Sequence, residues 1–184
     1  MKTEYRIRKV KLGDAEQYIK LTNLVWRSAY KNIFPESVFT ARENEERINR
    51  MINGFAEHAI HNPNYFSYVA EADGKIIGLM GGSYRSQYEH FQEESYADLQ
   101  ALYIHPDFQH IGLGKKFFDL FVSKIKKKGI TKFVIGVLKD NKQARKAYEK
   151  WGGKLDTYSK PFVREGKEYD EVFYTYDFEN FKQI

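Results

Sequence analysis

The sequence has 184 residues, of which none is cysteine and only four are proline. Without cysteine the chain has no disulfide scaffold, no thiolate metal site and no cysteine nucleophile. Long apolar runs are also absent, since a stretch such as Phe133–Leu138 is far shorter than the roughly 20 residues that span a bilayer. The charged start of the chain leads into no apolar run, so the sequence predicts no secretory signal. These absences favour a soluble, cytoplasmic protein.

The residues that are present can build a substantial core. Hydrophobic residues make up 42% of the chain and aromatic residues 16%, a composition that disfavours intrinsic disorder. The length fits the range of about 100–200 residues expected for one domain. The sequence contains no fixed-period repeat and no Pro/Gly/Ser-rich linker, so we expect one domain over residues 1–184.

The charge of the chain is unevenly distributed. Residues 115–154 carry 13 lysines and arginines against three acidic residues, a net charge of +10. Because the whole chain carries +5, the remaining 144 residues sum to −5. A basic segment on an otherwise acidic chain indicates a site for a polyanion, either a nucleic acid or a multiply phosphorylated cofactor. The alternative is a solvated lysine face on one or two helices.

Hydrophobic periodicity and turn residues predict an α/β fold with a mixed sheet and the element order β-αα-βββ-αβ-αββ. Strands are predicted at Tyr5–Val10, Tyr65–Glu71, Lys75–Tyr84, Tyr96–Ile104, Thr131–Leu138, Lys154–Tyr158 and Glu168–Phe178. Helices are predicted from Gly13-Asp14 to a break at Phe34-Pro35-Glu36, then at Arg42–His58, Gly112–Lys128 and Asp140–Trp151, the last capped by Asp140. An Asp-Gly pair at residues 73 and 74 indicates a hairpin, and residues 85–95 are predicted to form a loop.

The passage LYIHPDFQHIGLGKK at residues 102–116 joins a strand to a helix through a glycine-containing loop. The first N–H groups of a helix have no helical partner and lie at the positive end of its dipole. Glycines at 112 and 114 let the backbone approach a ligand without obstruction by a Cβ atom, which predicts a phosphate cradle. A P-loop would need glycine in place of Gln109, and a dinucleotide fingerprint would need glycine in place of Phe117, so both are excluded.

The remaining pattern, Gln109-x-x-Gly112-x-Gly114 after a strand, resembles the acyl-CoA-binding motif of the GNAT superfamily of N-acyltransferases. In that family the loop amides hold the CoA pyrophosphate, and the pantetheine arm pairs with the backbone of the preceding strand. The resemblance implies a single GNAT-like domain with acetyl-CoA as its cofactor. The implied cofactor-binding residues in this segment are Leu102, Tyr103, Ile104, Gln109, His110, Ile111, Gly112, Leu113, Gly114 and Lys115.

A second segment, NKQARKAYEKWGG, begins at Asn141 and resembles the second CoA-binding segment of the same family. Asn141, Ala144 and Tyr148 stand at i, i+3 and i+7, so they share one face of the predicted helix. The resemblance implies that these three residues contact the cofactor, and we assign Lys150 to its 3′-phosphate. Where the family commonly has an aromatic residue, this chain has Gly153, which leaves the packing of the next strand open.

The reaction that the resemblance implies needs a neutral amine, a polarised thioester carbonyl and a proton for the leaving thiolate. Tyr148 is implied as the acid, because a phenol with a pKa of about 10 is protonated at neutral pH and can donate to sulfur. The backbone N–H of Leu102 would polarise the carbonyl. Asp98 corresponds to a strand carboxylate that acts as the base in some members, and it would accept the amine proton directly or through water.

The predicted function is therefore transfer of an acetyl group from acetyl-CoA to a primary amine, by direct attack in a ternary complex. Glu89, Glu93 and Glu94 could form an acidic rim that attracts a cationic acceptor, which favours a small amine or a polyamine. A protein N-terminus or a lysine side chain is the alternative acceptor. Two alternatives to an enzyme remain: a non-enzymatic acyl-CoA sensor and a nucleic-acid-binding protein.

The remaining expectations concern metals and partners. The histidine pairs His58/His61 and His105/His110 lack a convincing set of metal ligands, so we predict no metal. We expect neither a nucleic acid nor a membrane as a partner, and a homodimer is left open.

Overall fold

The computed structural model of the protein describes residues 4–92 and 96–178. The seven strands of this part of the chain are β1 (Arg6–Lys9), β2 (Tyr65–Ala72), β3 (Lys75–Ser83), β4 (Ala97–Ile104), β5 (Lys132–Leu138), β6 (Lys154–Arg164) and β7 (Lys167–Asp177). They form one sheet in the order β1-β2-β3-β4-β5-β7-β6. β4 pairs with β5 in parallel, whereas β1 with β2, β5 with β7 and β6 with β7 pair antiparallel. The predicted α/β fold with a mixed sheet is therefore confirmed.

The α-helices of the described residues are α1 (Ala15–Tyr30), α2 (Glu36–Glu43), α3 (Glu45–Asn53), α4 (Glu89–Gln92), α5 (Leu113–Lys126) and α6 (Lys142–Lys150). The prediction of one helix over Arg42–His58 is wrong, because α2, α3 and a π-helix over Ala56–His61 stand there. The break falls at Asn44, whose backbone is non-helical and whose side chain accepts a hydrogen bond from the Arg47 N–H. Asparagine favours such a capping position over a helix interior.

Two further helix predictions need correction. The predicted loop over residues 85–95 contains the short helix α4, and Glu93 and Glu94 of the predicted acidic rim lie outside the described residues. The cap of α6 is Asn141 and not Asp140, since the Asn141 side chain accepts a hydrogen bond from the Ala144 N–H at 3.2 Å.

The chain divides into two compact units, which we call unit 1 (Met1–Gly82 and Ala101–Asp119) and unit 2 (Ser83–Gln100 and Leu120–Ile184). β4 and α5 each continue from one unit into the other. The prediction of one domain over residues 1–184 stays a prediction.

Unit 1 is organised around the apolar face of α1. Buried residues of α1 such as Leu21 and Val25 share a core with Val69 of β2 and Leu79 of β3. The predicted hairpin between β2 and β3 is present, and both of its turn residues, Asp73 and Gly74, have positive φ. Positive φ at both central residues matches the twist of a two-residue hairpin.

Unit 2 is organised around β5, whose side chains are buried on both faces of the sheet. On one face Phe133 stacks on Tyr176 of β7, with ring centroids 4.2 Å apart, and contacts Phe121 of α5. On the other face Val134 packs with Phe173 and with Phe91 of α4.

The edge strand β6 extends to Arg164, so the predicted end at Tyr158 is wrong. Its pairing with β7 shifts register between Leu155 and Ser159, and it contains Pro161. The register shift and the proline interrupt the alternation of apolar and polar residues from which the strand is predicted.

Candidate active site

Unit 1 contains the strand-to-helix passage for which the sequence predicts a phosphate cradle. A short 3₁₀ turn, Pro106–Phe108, follows β4, and α5 begins at Leu113 after two residues with left-handed backbone, His110 (φ 63°) and Gly112 (φ 83°). A Cβ atom built on Gly112 would meet nothing within 4 Å, so this glycine borders open space. Glycine is required at 112 for its backbone conformation and not for lack of room.

The start of α5 lies close to the sheet of unit 1. A Cβ atom on Gly78 of β3 would lie 3.0–3.1 Å from side-chain atoms of Ile104, Leu113 and Phe117. Leu113 is therefore held in the core, and only its backbone is available to a ligand. The first intrahelical bond of α5 runs from Lys116 N–H to the Gly112 carbonyl, and the N–H groups before it have no helical partner.

Several predicted cofactor residues of unit 1 have structural partners of their own. The Gln109 side-chain amide donates to the Ile104 carbonyl at 3.3 Å and so ties the loop to the end of β4. The Tyr103 hydroxyl accepts a hydrogen bond from the Trp26 indole at 3.0 Å. The Lys115 ammonium is paired with the Asp119 carboxylate on the exposed side of α5. His110 and Ile111 are exposed.

Helix α6 in unit 2 carries the second predicted segment. Asn141 caps the helix, and Tyr148 is buried in its last turn, with its ring 5.9 Å from that of Tyr174. Tyr174 receives a hydrogen bond from Arg145 and donates one to Glu149, which fixes α6 against β7. The Arg145 guanidinium is therefore engaged within the fold. Lys150 is exposed in the last turn of α6.

The glycine that departs from the family pattern has a structural explanation. A Cβ atom on Gly153 would lie 2.7 Å from the Tyr176 hydroxyl and 3.0 Å from the Tyr148 carbonyl. That hydroxyl donates to the Tyr148 carbonyl at 2.9 Å, and the Gly153 N–H donates to the same oxygen at 2.9 Å. An aromatic ring from β7 therefore occupies the space into which a side chain at 153 would extend.

Asp98 of β4 is a buried carboxylate of unit 2. Its side chain is almost completely buried, with 1% exposure, and its Oδ1 has no hydrogen-bond partner among the described residues. Oδ2 accepts long hydrogen bonds from the Gln87 N–H (3.4 Å) and the Gln100 amide (3.5 Å). Burial raises the pKa of Asp98 to about 7, and the negative charge of Glu171 acts in the same direction.

Two polar residues near Asp98 were missed by the sequence analysis. The Tyr88 hydroxyl donates to the Glu171 carboxylate at 3.0 Å, and burial together with the charge of Glu171 raises the pKa of Tyr88. The sequence offered one indication of Glu171. It stands two residues before the buried Phe173 and so faces the same side of the strand, and a carboxylate at a core-facing strand position is rare. Nothing in the sequence around Tyr88 indicated a functional role for it.

The predicted site residues thus fall into two groups. Unit 1 holds Leu102–Ile104 and Gln109–Lys115, whereas unit 2 holds Asp98, Asn141, Ala144, Tyr148 and Lys150. Among residues 4–92 and 96–178, no group of three or more histidine, aspartate or glutamate side chains could hold a metal ion. The expectation that the protein uses no metal stays an expectation.

Comparison with protein families identifies the class to which the molecule belongs. A model of the acetyltransferase (GNAT) family matches residues 20–153, which include both predicted cofactor segments up to Gly153. The chain therefore belongs to the GNAT family and is an acetyl-CoA-dependent acetyltransferase. No curated protein matches it.

Solved structures share the fold over nearly the whole chain. The PaiA N-acetyltransferase of Thermoplasma acidophilum, solved with coenzyme A, is 22% identical, with a TM-score of 0.69 over 95% of this chain and 99% of that one. YncA of Salmonella typhimurium, solved with acetyl-CoA, is 18% identical, with a TM-score of 0.66 over 97% and 96%. An N-acetyltransferase of Staphylococcus aureus is 18% identical, with a TM-score of 0.70 over 96% and 99%. No described helix is long and apolar enough to cross a membrane.

Proposed function

We propose that the protein acetylates a small primary amine, either a monoamine or a polyamine, by direct attack in a ternary complex. The observation that carries this proposal is Asp98, a buried carboxylate with one oxygen that lacks a hydrogen-bond partner among the described residues. A carboxyl group with a pKa of about 7 is matched to accepting a proton near neutral pH. Asp98 is accordingly the proposed general base.

The residues of unit 1 fit the phosphate groups of acetyl-CoA. Gly112 has a left-handed backbone and borders open space, next to the N–H groups at the start of α5 that have no helical partner. These features suit a pyrophosphate, because the N–H groups can donate to its oxygens and the helix dipole favours its negative charge. We assign the pyrophosphate to the backbone of residues 109–115 and the pantetheine arm to the backbone of Leu102–Ile104. Asn141, Ala144 and Lys150 are the proposed contacts from unit 2, with Lys150 at the 3′-phosphate.

Three groups of the chain are assigned to the transfer itself. Bound acetyl-CoA supplies the acetyl group as a thioester. The Asp98 carboxylate takes a proton from the acceptor ammonium, so the nitrogen gains a lone pair for attack. The Leu102 N–H donates a hydrogen bond to the thioester carbonyl oxygen, and the Tyr148 hydroxyl gives its proton to the sulfur as the carbon–sulfur bond breaks and the carbon–nitrogen bond forms. The acetylated nitrogen then returns a proton to the Tyr148 phenolate, which leaves a neutral amide and a free CoA thiol.

The absence of cysteine supports direct transfer. A covalent acyl-enzyme needs an activated nucleophile with an adjacent base, and the chain has no thiol to provide one. Exposed Glu89 is the described member of the proposed acidic rim. The single domain and the cytoplasmic location stay predictions, and a homodimer is left open.

The experiment that tests this function is an amine panel with release of the CoA thiol as the readout. The panel contains alkyl monoamines, alkyl diamines, lysine-containing peptides and peptides with a free N-terminus, and each product is identified by its mass. We expect release with the small amines and initial-rate patterns that intersect, as a ternary complex requires. Release only with peptides would contradict the acceptor assignment, and parallel rate patterns would contradict direct attack.

A ligand-binding measurement separates the enzyme from the alternatives of another class. Acetyl-CoA should raise the melting temperature, because it binds the folded chain alone. Thermal stabilisation without turnover of any amine would favour an acyl-CoA sensor, and no stabilisation at saturating acetyl-CoA would contradict the cofactor assignment.

A further inference from the structure

Glu171 of β7 projects from the same face of the sheet as Asp98. Asp98 is paired with Val134 of β5, and Leu138, on the same face of β5, is paired with Glu171. The Glu171 side chain is only 11% exposed. Unit 2 therefore has two largely buried carboxylates on one face.

Tyr88 completes the environment of Glu171. Its hydroxyl donates to Glu171 Oε1 at 3.0 Å, and its ring packs edge-on against Phe173 with centroids 4.7 Å apart. Gly136 of β5 leaves the room for this contact, because a Cβ atom there would lie 2.5 Å from the Tyr88 hydroxyl and 2.9 Å from Glu171 Oε1. The chain thus keeps a phenol ring and a carboxylate together beside a glycine.

An ammonium group already occupies this pair. Lys160 Nζ lies 3.6 Å from Glu171 Oε2 and 4.6 Å from the centroid of the Tyr88 ring. The face of an aromatic ring and a carboxylate both attract an ammonium group. Lys160 lies on the edge strand β6 with 39% of its side chain exposed, so it can leave without disturbing the core.

From this arrangement we infer that Tyr88 and Glu171 form an ammonium subsite for a second positive charge on the acceptor. Lys160 fills the subsite in the free enzyme, and the acceptor displaces it. The acceptor is then a diamine or a longer polyamine, with one nitrogen at Asp98 and another at Tyr88 and Glu171. The inference rests on the proposed function, since it names the acceptor class within it.

The charges on this face support a dicationic ligand. Asp98 and Glu171 carry two negative charges when ionised, and Lys160 offsets one of them. Asp98 Oδ1 is buried and has no donor among the described residues, which is costly unless a ligand supplies one. An acceptor with two amino groups would satisfy both carboxylates after Lys160 has moved into solvent.

The test compares butylamine with diaminobutane, two acceptors of the same chain length that differ in the second amino group. In the wild-type enzyme, kcat/KM for acetylation of the diamine should exceed that of the monoamine by about tenfold or more. Glu171→Gln should remove most of this preference by lowering kcat/KM for the diamine, with butylamine changed less than about twofold. The matched control is Glu168→Gln on the same strand, which removes an exposed charge and should alter neither value.

Lys160→Met distinguishes a ligand subsite from an ion pair that only stabilises the fold. If Lys160 competes with the acceptor, its removal should lower KM for the diamine severalfold and leave KM for butylamine unchanged. A higher KM for the diamine in this variant would contradict the subsite. A loss of the same size for both amines in Glu171→Gln would contradict it as well.

Calorimetric binding of diaminobutane, with and without CoA, separates the subsite from the proposed reaction. Binding that depends on Glu171, together with no thiol release from any amine, would support the subsite and overturn the proposed function. Thiol release from both amines at equal efficiency would support the function and overturn the subsite.

Discussion

The two compact units contribute chemical groups of different kinds. In unit 1 the candidate groups are backbone N–H groups at the start of α5, next to a glycine that borders open space. In unit 2 they are side chains, and both Tyr148 and Asp98 are buried. We therefore expect unit 1 to be sensitive to changes in backbone conformation and unit 2 to the loss of single polar atoms.

The largest expected effect comes from one oxygen atom in unit 2. Tyr148→Phe should lower kcat by at least about a hundredfold, because general acid catalysis contributes on the order of 10²–10⁴. The dissociation constant of acetyl-CoA should change little, since the ring remains. Steady-state kinetics and calorimetry measure the two quantities, with Tyr158→Phe as the control for loss of a hydroxyl elsewhere in unit 2. Full activity in Tyr148→Phe would exclude the acid role.

Asp98→Asn should lower kcat/KM by about a hundredfold and should change its dependence on pH. Because the base must be ionised and the pKa of Asp98 is about 7, activity of the wild type should fall as the pH drops below 7. The variant should lose this acidic limb. Asp73→Asn, in the exposed hairpin turn, is the matched control. A wild-type profile that is flat between pH 6 and 8 would contradict Asp98 as the base.

The same substitution should raise stability at alkaline pH. The pKa of Asp98 is higher in the folded chain than in the unfolded chain. The contribution of the protonated Asp98 to the free energy of unfolding is therefore fully present below the unfolded pKa, and it is lost as the pH rises through about 7. Asp98→Asn removes the buried charge, and its melting temperature should exceed that of the wild type at pH 8. Thermal unfolding at pH 5 and pH 8 measures the difference, and a variant less stable than the wild type at pH 8 would oppose this account.

Gly112→Ala tests the backbone of unit 1. Left-handed backbone costs a residue with a Cβ atom about 1–2 kcal/mol, so acetyl-CoA should bind about tenfold more weakly. Gly13→Ala is the matched control, because Gly13 also borders open space but lacks the positive φ of Gly112. Equal cofactor affinity in the two variants would show that the conformation of Gly112 is not needed.

The smallest effect concerns a glycine of unit 2 that is enclosed, in contrast to Gly112. Gly153→Ala should lower the free energy of unfolding by about 1–3 kcal/mol, since the new Cβ atom meets the Tyr176 hydroxyl at 2.7 Å. Combining it with Tyr176→Phe should cost less than the sum of the two single changes. Denaturant unfolding of the two single variants and the double variant measures this, and simple additivity would refute the steric explanation.

Local patterns allowed most of the fold to be predicted. The Asp73-Gly74 turn and the apolar stripe of α5 are set by neighbouring residues, so they can be read directly from the sequence. The division of the predicted helix at Asn44 was missed, because helix-forming residues stand on both sides of it. The length of β6 was missed because the register shift and Pro161 conceal its alternation.

The site was predictable only as far as its motifs extend. Asp98 could be named from its correspondence to a strand carboxylate of the GNAT family, but its burial and its unpartnered oxygen depend on packing with distant parts of unit 2. The contact between Tyr88 and Glu171 joins residues 83 positions apart, through the pairing of β5 with β7. Such a contact depends on the register of strands that are not neighbours in sequence, which periodicity alone does not determine.

The edge position of β6 has a consequence for solubility. An outermost strand exposes unpaired N–H and C=O groups to which another chain can add, which is a route to aggregation. β6 carries three features that oppose such pairing: the register shift after Leu155, the missing N–H of Pro161, and the cations Lys154, Lys160 and Arg164. We therefore expect the strand that brings an ammonium to Glu171 also to hinder edge-to-edge association of separate molecules.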